Sequence, residues 1–134
     1  MRLLLDTHIW VWSLIEPSRL SHRVWKELDN PANELWLSPI TLWELIVLCE
    51  KGRMKLEPDV DSWIGHKLKA VPLQQAPVTH DVAREVGRLE LDHRDPADRF
   101  LVATAKVFEL TLVTADERLM KVREVPVLAN RQGD

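Results

Sequence analysis

Apolar positions occur in two rhythms along this chain. Leu3, Leu4 and Leu5 form a short unbroken run that stops at Asp6. Such a run suits a strand covered on both faces, as in a parallel sheet. A helix is predicted from His8 to Ile15, ending before Pro17, and a second from a Ser21 cap to about Leu28. A strand is predicted from Glu34 to Leu37. Ser38-Pro39 reads as cap and first turn of a helix reaching about Lys51, where Gly52 ends it. Pro58 opens another to about Ala70. Val71 to Val78 reads as a broken edge strand, because Pro72 and Pro77 cannot donate to a ladder. Thr79 caps a helix to about Leu89, and Asp95-Pro96 opens a long one to Phe108. A strand over Leu110 to Thr114, a short helix after Asp116 and a strand over Val125 to Leu128 complete the chain. Strands and helices alternate, so the expected class is α/β with a mostly parallel sheet.

The 134 residues match one domain, expected over 1–134. Counting removes several chemistries. One cysteine excludes a disulfide framework, and the four glycines are too dispersed for a phosphate-cradling loop. The five histidines are never spaced three or four apart, so no helix carries a zinc-binding pair. No apolar run is long enough to span a membrane. Asp6 and His8 interrupt the apolar start, which is therefore expected to be folded structure in a reducing cytoplasm.

Carboxylates remain, and four occupy unusual places. Asp6 ends the first strand, on the sheet edge where α/β proteins bind ligands. Asp116 stands likewise after the fourth long strand. An N-cap would explain either acid alone. Glu44 falls in a predicted inward stripe of Ile40, Trp43, Val47 and Leu48. A carboxylate there is costly unless paired or metal-bound. Thr41 to Glu44 also fits a capping box, but that would leave Ser38-Pro39 unused. Asp98 shares a face with Leu101, Val102 and Ala105, and Asp95 is the expected cap of its helix. A first-turn aspartate also gains from the helix dipole, by ~0.3–1 kcal/mol. In a parallel sheet all four acids can converge. Such a cluster needs compensation, and a hard divalent cation, Mg²⁺ or Mn²⁺, supplies it.

The segments LLLDTHIW, SPITLWEL, HRDPADRFLVATA and LVTADERL resemble those of PIN-domain nucleases, and most closely the VapC toxins of bacterial toxin–antitoxin pairs. The likeness runs from residue 1 to about residue 128. It implies a three-layer α/β/α sandwich around a mostly parallel sheet of four or five strands. It also implies a Mg²⁺- or Mn²⁺-dependent endoribonuclease, a cognate antitoxin protein and frequent homodimers. The family's acids map onto Asp6, Glu44, Asp98 and Asp116, with Asp95 as an added ligand or a supporting acid.

Thr7 and Thr114 are candidates to bond a carboxylate or a substrate phosphate, with a strand-end structural role open for Thr114. Arg94 and Arg99, beside the acids, are candidate phosphate contacts. The runs Lys51–Lys55 and His66–Lys69 are further candidates against a chain of net charge −3. Trp36 and Trp43 are expected in the core. Trp10 and Trp12 lie about 200° apart on one helix and cannot face the same way. Rival readings are a DNA nuclease or phosphatase using the same acids, and an inactive PIN-like binding module. A phosphoacceptor receiver fits poorly, since Asp6 has no adjacent acid and no lysine ends the fourth strand.

Overall fold

The computed structural model describes residues 1–92 and 94–134; His93, which opens the third motif, lies outside the described residues. Five parallel strands form one sheet in the order β3-β2-β1-β4-β5. They are β1 (Arg2–Leu5), β2 (Glu34–Leu37), β3 (Gln74–Gln75), β4 (Thr111–Thr114) and β5 (Val127–Ala129). The helices are α1 (Thr7–Ile15), α2 (His22–Asp29), α3 (Pro39–Glu50), α4 (Val60–Ala70), α5 (His80–Val86), α6 (Pro96–Phe108) and α7 (Glu117–Met120).

The period-two geometry of strands sorts side chains into two cores. Leu3, Leu5, Leu37, Val113 and Leu128 face one cluster with Ile9, Trp10 and Val11 of α1, Val24 of α2, Leu45 of α3 and Trp63 of α4. Leu4 and Leu112 face the other, with Val82 of α5, Leu101, Val102 and Ala105 of α6, and Leu119 of α7. Helices therefore cover both sheet faces, and the three-layer α/β/α expectation holds. β1 pairs with both β2 and β4, so the chain order reverses direction at the β1–β4 boundary. Ligands of open α/β sheets bind outside the strands' carboxyl ends at such a boundary.

Local chemistry sets the element limits. Ser38 Oγ accepts from the Ile40 N–H at 3.0 Å, so α3 begins at Pro39 and the capping-box reading of Thr41 is not used. Asp95 Oδ1 accepts from the Ala97 N–H at 3.0 Å and the Asp98 N–H at 3.4 Å, which starts α6 at Pro96. Several boundaries move, among them the last strand, which runs Val127–Ala129. Asp59, rather than Pro58, caps α4, because its carboxylate accepts from the Ser62 N–H. The edge strand shrinks to two residues between its prolines. The Thr79-capped helix ends at Val86, with Gly87 as its C-cap.

The expected inward stripe of α3 is also corrected. Thr41 and Leu45, four apart, are the buried positions, while Trp43 is 52% exposed. Trp36 is half-buried and stacks on Phe108 at 6.1 Å. Of the α1 tryptophans, Trp10 is in the core, edge-on to Trp63, and Trp12 is half-buried.

Because Leu4 is fully buried in the central strand, Leu4→Ala should lower stability by about 2–5 kcal/mol. Trp43→Ala should change it by no more than about 0.5 kcal/mol, as for surface positions generally. Urea unfolding of both variants checks this contrast.

Candidate metal centre

β1 and β4 are paired, and each ends in a short loop that caps a helix with an aspartate. Asp6 caps α1 through its Oδ1, which accepts from the Ile9 N–H at 3.0 Å. Asp116 caps α7 in the same way, accepting from the Arg118 N–H at 2.8 Å. Both capping explanations thus hold, yet neither uses up the carboxylate. The remaining oxygens join those of α3 and α6 around one cavity of about 420 Å³, which Asp6, Glu44, Asp95, Asp98 and Asp116 all line.

Within this cavity Glu44, Asp95 and Asp98 each present an oxygen within 4.8 Å of the other two. Asp98 is buried, at 6% exposure, on the face shared with Leu101, Val102 and Ala105, as its spacing predicts. Glu44 reaches the same place for a different reason from the predicted stripe. It flanks the buried Leu45 on α3, is half-buried, and accepts a hydrogen bond from the Thr7 hydroxyl.

The electrostatics follow from burial and like charge. Burial pushes the Asp98 carboxyl up to about 7; Asp95, Asp116 and Glu44 add repulsion, and the Arg118 guanidinium opposes it. Asp6 is raised by burial, against hydrogen bonds from Thr114, Ile9 and Ala115. Glu44 is raised by burial too, against the Thr7 hydroxyl, with Asp95 and Asp6 adding repulsion. Asp116 also loses hydration, but the backbone and side chain of Arg118 outweigh that loss and hold its carboxyl below the usual range. An oxygen-only donor set with this excess of negative charge fits a hard divalent cation.

The two threonines support the acids. Thr114 is fully buried and donates its hydroxyl hydrogen to Asp6 Oδ2. Thr114 Oγ1 in turn accepts from the Asp116 N–H at 3.0 Å, so Thr114 links the acids of the two central strands. Of the roles expected for Thr114, the bond to a carboxylate is the one observed. Thr7 lines the cavity, and its hydroxyl is engaged by Glu44.

Neither expected arginine lines the cavity. Arg99 donates to the carbonyls of Val86 at 2.9 Å and Leu91 at 3.4 Å, pinning the end of α5 rather than facing the cavity. One position from Asp98 on a helix is about 100° of rotation, enough to turn the side chain away. Arg94 is exposed and is not among the described residues lining the cavity. From the Lys51–Lys55 run, Arg53 does line it.

Sequence reasoning passed over His8, on the first turn of α1, and Arg118, two residues after Asp116, although both line the cavity. Arg118 was legible, since a side chain in the first turn of a helix capped by Asp116 stays near that acid. Its Nη2 lies 3.4 Å from Asp116 Oδ2 and 3.7 Å from Asp98 Oδ2.

Comparison with known proteins agrees with this geometry. The PIN domain family profile matches residues 3–125. Ribonuclease VapC22 of Mycobacterium tuberculosis is 36% identical over 121 residues, covering 90% of this chain and 91% of that one. Among solved structures, DNA-bound VapBC from Salmonella typhimurium has a similar fold, with a TM-score of 0.72 and 20% identity, covering 96% and 98% of the two chains. VapBC2 from Rickettsia felis, bound to a promoter DNA fragment, aligns over the same shares with a TM-score of 0.71 and 20% identity.

The raised Asp98 carboxyl predicts a pH dependence in chelator. Folded protein holds this proton to about pH 7, whereas unfolded chain releases it near its ordinary 3.8. The unfolded state binds fewer protons between those values, so this contribution makes stability fall as pH rises from about 4 to 7. A shift of about three units amounts to roughly 4 kcal/mol at most. Asp98→Asn removes it. The variant should withstand more urea than the parent at pH 8, with the gap narrowing towards pH 4. Parallel pH profiles for the two proteins would contradict the assignment.

Proposed function

The chain belongs to the PIN-domain family, and from that premise we propose that it is a metal-dependent endoribonuclease of the toxin class, restrained by a cognate antitoxin protein. The observation that carries this reading is the convergence of five carboxylates in one cavity at the carboxyl ends of β1 and β4. The 36% identity to a ribonuclease over nine-tenths of the chain supports RNA as substrate. The fold shared with VapBC structures supports an antitoxin partner. Exposed Trp25 and Trp43 offer the large aromatic side chains that interfaces favour, for an antitoxin or a second copy of the chain. No helix among the described residues is long and apolar enough to cross a membrane. The reading places the whole chain, as one domain, in the cytoplasm.

In this reading Glu44, Asp95 and Asp98 would hold Mg²⁺ or Mn²⁺, with Asp6 and Asp116 contributing from the same cavity. A bound divalent ion would supply water activation and neutralise charge on the phosphoryl oxygens. The protein's own groups do the rest. Thr7 fixes the Glu44 carboxylate, which orients the attacking water and can accept its proton. Thr114 fixes Asp6 and the Asp116 backbone, so the two acids keep their spacing. In-line attack by water breaks the P–O3′ bond, leaving a 5′-phosphate and a 3′-hydroxyl. Single-stranded RNA suits an open cavity, since its backbone is accessible.

Cleavage assays with single-stranded RNA, single-stranded DNA and a small phosphoester, in Mg²⁺ or Mn²⁺, test the reading. RNA should be cut by the parent protein and protected by chelator. Thr114→Val should lower kcat/KM by about 10- to 100-fold, the usual cost of losing a partner that orients a metal ligand. Asp98→Asn should lower it further while keeping the native circular dichroism. Undiminished cutting by Asp98→Asn would refute the assignment. Preference for DNA or the small ester would redirect it to the rival nuclease or phosphatase.

A further inference from the structure

Arg118 is the cationic side chain whose ion pairs reach the cavity acids among the described residues. Its Nη2 sits between Asp98 and Asp116, at 3.7 and 3.4 Å from their Oδ2 atoms. These two acids project from different elements, α6 and the β4–α7 loop. One guanidinium group therefore bridges the two sides of the cavity. The arginine is not built in permanently: its side chain is 58% exposed. It also lines a neighbouring cleft with Lys121 and Arg123. It thus stands on the ridge between the acids and an outer surface that carries two further exposed cations.

A monovalent group in this position partly compensates the excess negative charge, and a divalent ion on the same oxygens would compensate it more fully. The two cannot share the Asp98 and Asp116 oxygens without repulsion. The geometry points to Arg118 as a resident counter-ion of the acid cavity that the divalent ion displaces, and whose freed guanidinium then binds a phosphate of the substrate. This inference rests on the metal-dependent ribonuclease reading and adds a residue to it. Arginine suits both positions, because its planar fork bonds carboxylate and phosphate oxygens alike.

The test is Mn²⁺ titration of the full chain by calorimetry, comparing the parent with Arg118→Gln and Arg53→Gln. Arg53 lines the same cavity and removes the same charge, but makes no ion pair with the acids. Arg118→Gln should bind Mn²⁺ about three- to tenfold more tightly, the scale of one or two exposed ion pairs. Arg53→Gln should change affinity much less. In saturating Mn²⁺, Arg118→Gln should raise KM for RNA about three- to tenfold, and Arg118→Lys, which keeps the charge, should recover part of that loss. Unchanged or weaker Mn²⁺ binding by Arg118→Gln would overturn displacement. So would equal tightening in Arg53→Gln, which would reduce the effect to net charge. An unchanged KM would overturn the phosphate contact. The calorimetry needs no RNA, so a parent that binds Mn²⁺ but cuts no RNA would sink the ribonuclease reading while displacement is still decided.

Discussion

Burial and mutual repulsion of the carboxylates at the ends of β1 and β4 govern this molecule. Parallel strands place their carboxyl ends on one edge, and the helices that follow begin there. Any acid used as an N-cap at those positions is brought beside the others. Asp6 and Asp116 are such caps; Asp95 caps α6, and Asp98 and Glu44 enter from helix faces. Backbone N–H groups and two threonine hydroxyls stabilise individual oxygens. They do not offset the lost hydration: burial raises Asp6, Glu44 and Asp98, and repulsion from neighbouring acids adds to it at Glu44 and Asp98. A protein selected for stability alone would replace these acids with neutral caps. A divalent ion held by these acids would offset their charge.

Capping and catalysis are often set against each other as explanations of an aspartate. In Asp6 the two oxygens leave room for both. One oxygen of Asp6 fixes the start of α1 and the other receives Thr114 and the Ala115 N–H. The cap holds the side chain in one rotamer, which a metal ligand needs in any case. The Thr114 hydroxyl extends that rigidity across the two central strands, because it donates to Asp6 and accepts from the Asp116 backbone. The acid pair at the core of the site therefore inherits its spacing from the β1–β4 pairing itself.

Much of this was legible in the sequence wherever the signal was local. Ser38-Pro39 and Asp95-Pro96 marked helix starts because cap chemistry involves only neighbouring residues. Asp98 was legible because three apolar residues share its face and the helix is buried on that side. The α3 stripe was misread because that helix is apolar nearly all round, so periodicity could not say which side faces the sheet. Trp43 emerged exposed, and Glu44 was placed correctly on an incorrect stripe. Arg99 and Arg118 show the limit most clearly. Each lies within two residues of a cavity acid, yet one is drawn away by carbonyls of the α5 end and the other inward by two carboxylates. Only tertiary structure separates them.

These carboxylates are assigned as one divalent-cation site. Diffraction from crystals soaked in Mn²⁺, recorded where manganese scatters anomalously, tests it most directly. The account predicts an anomalous peak among the oxygens of Glu44, Asp95 and Asp98, within reach of Asp6 and Asp116. Carboxylates turned apart, with no peak between them at saturating Mn²⁺, would contradict it.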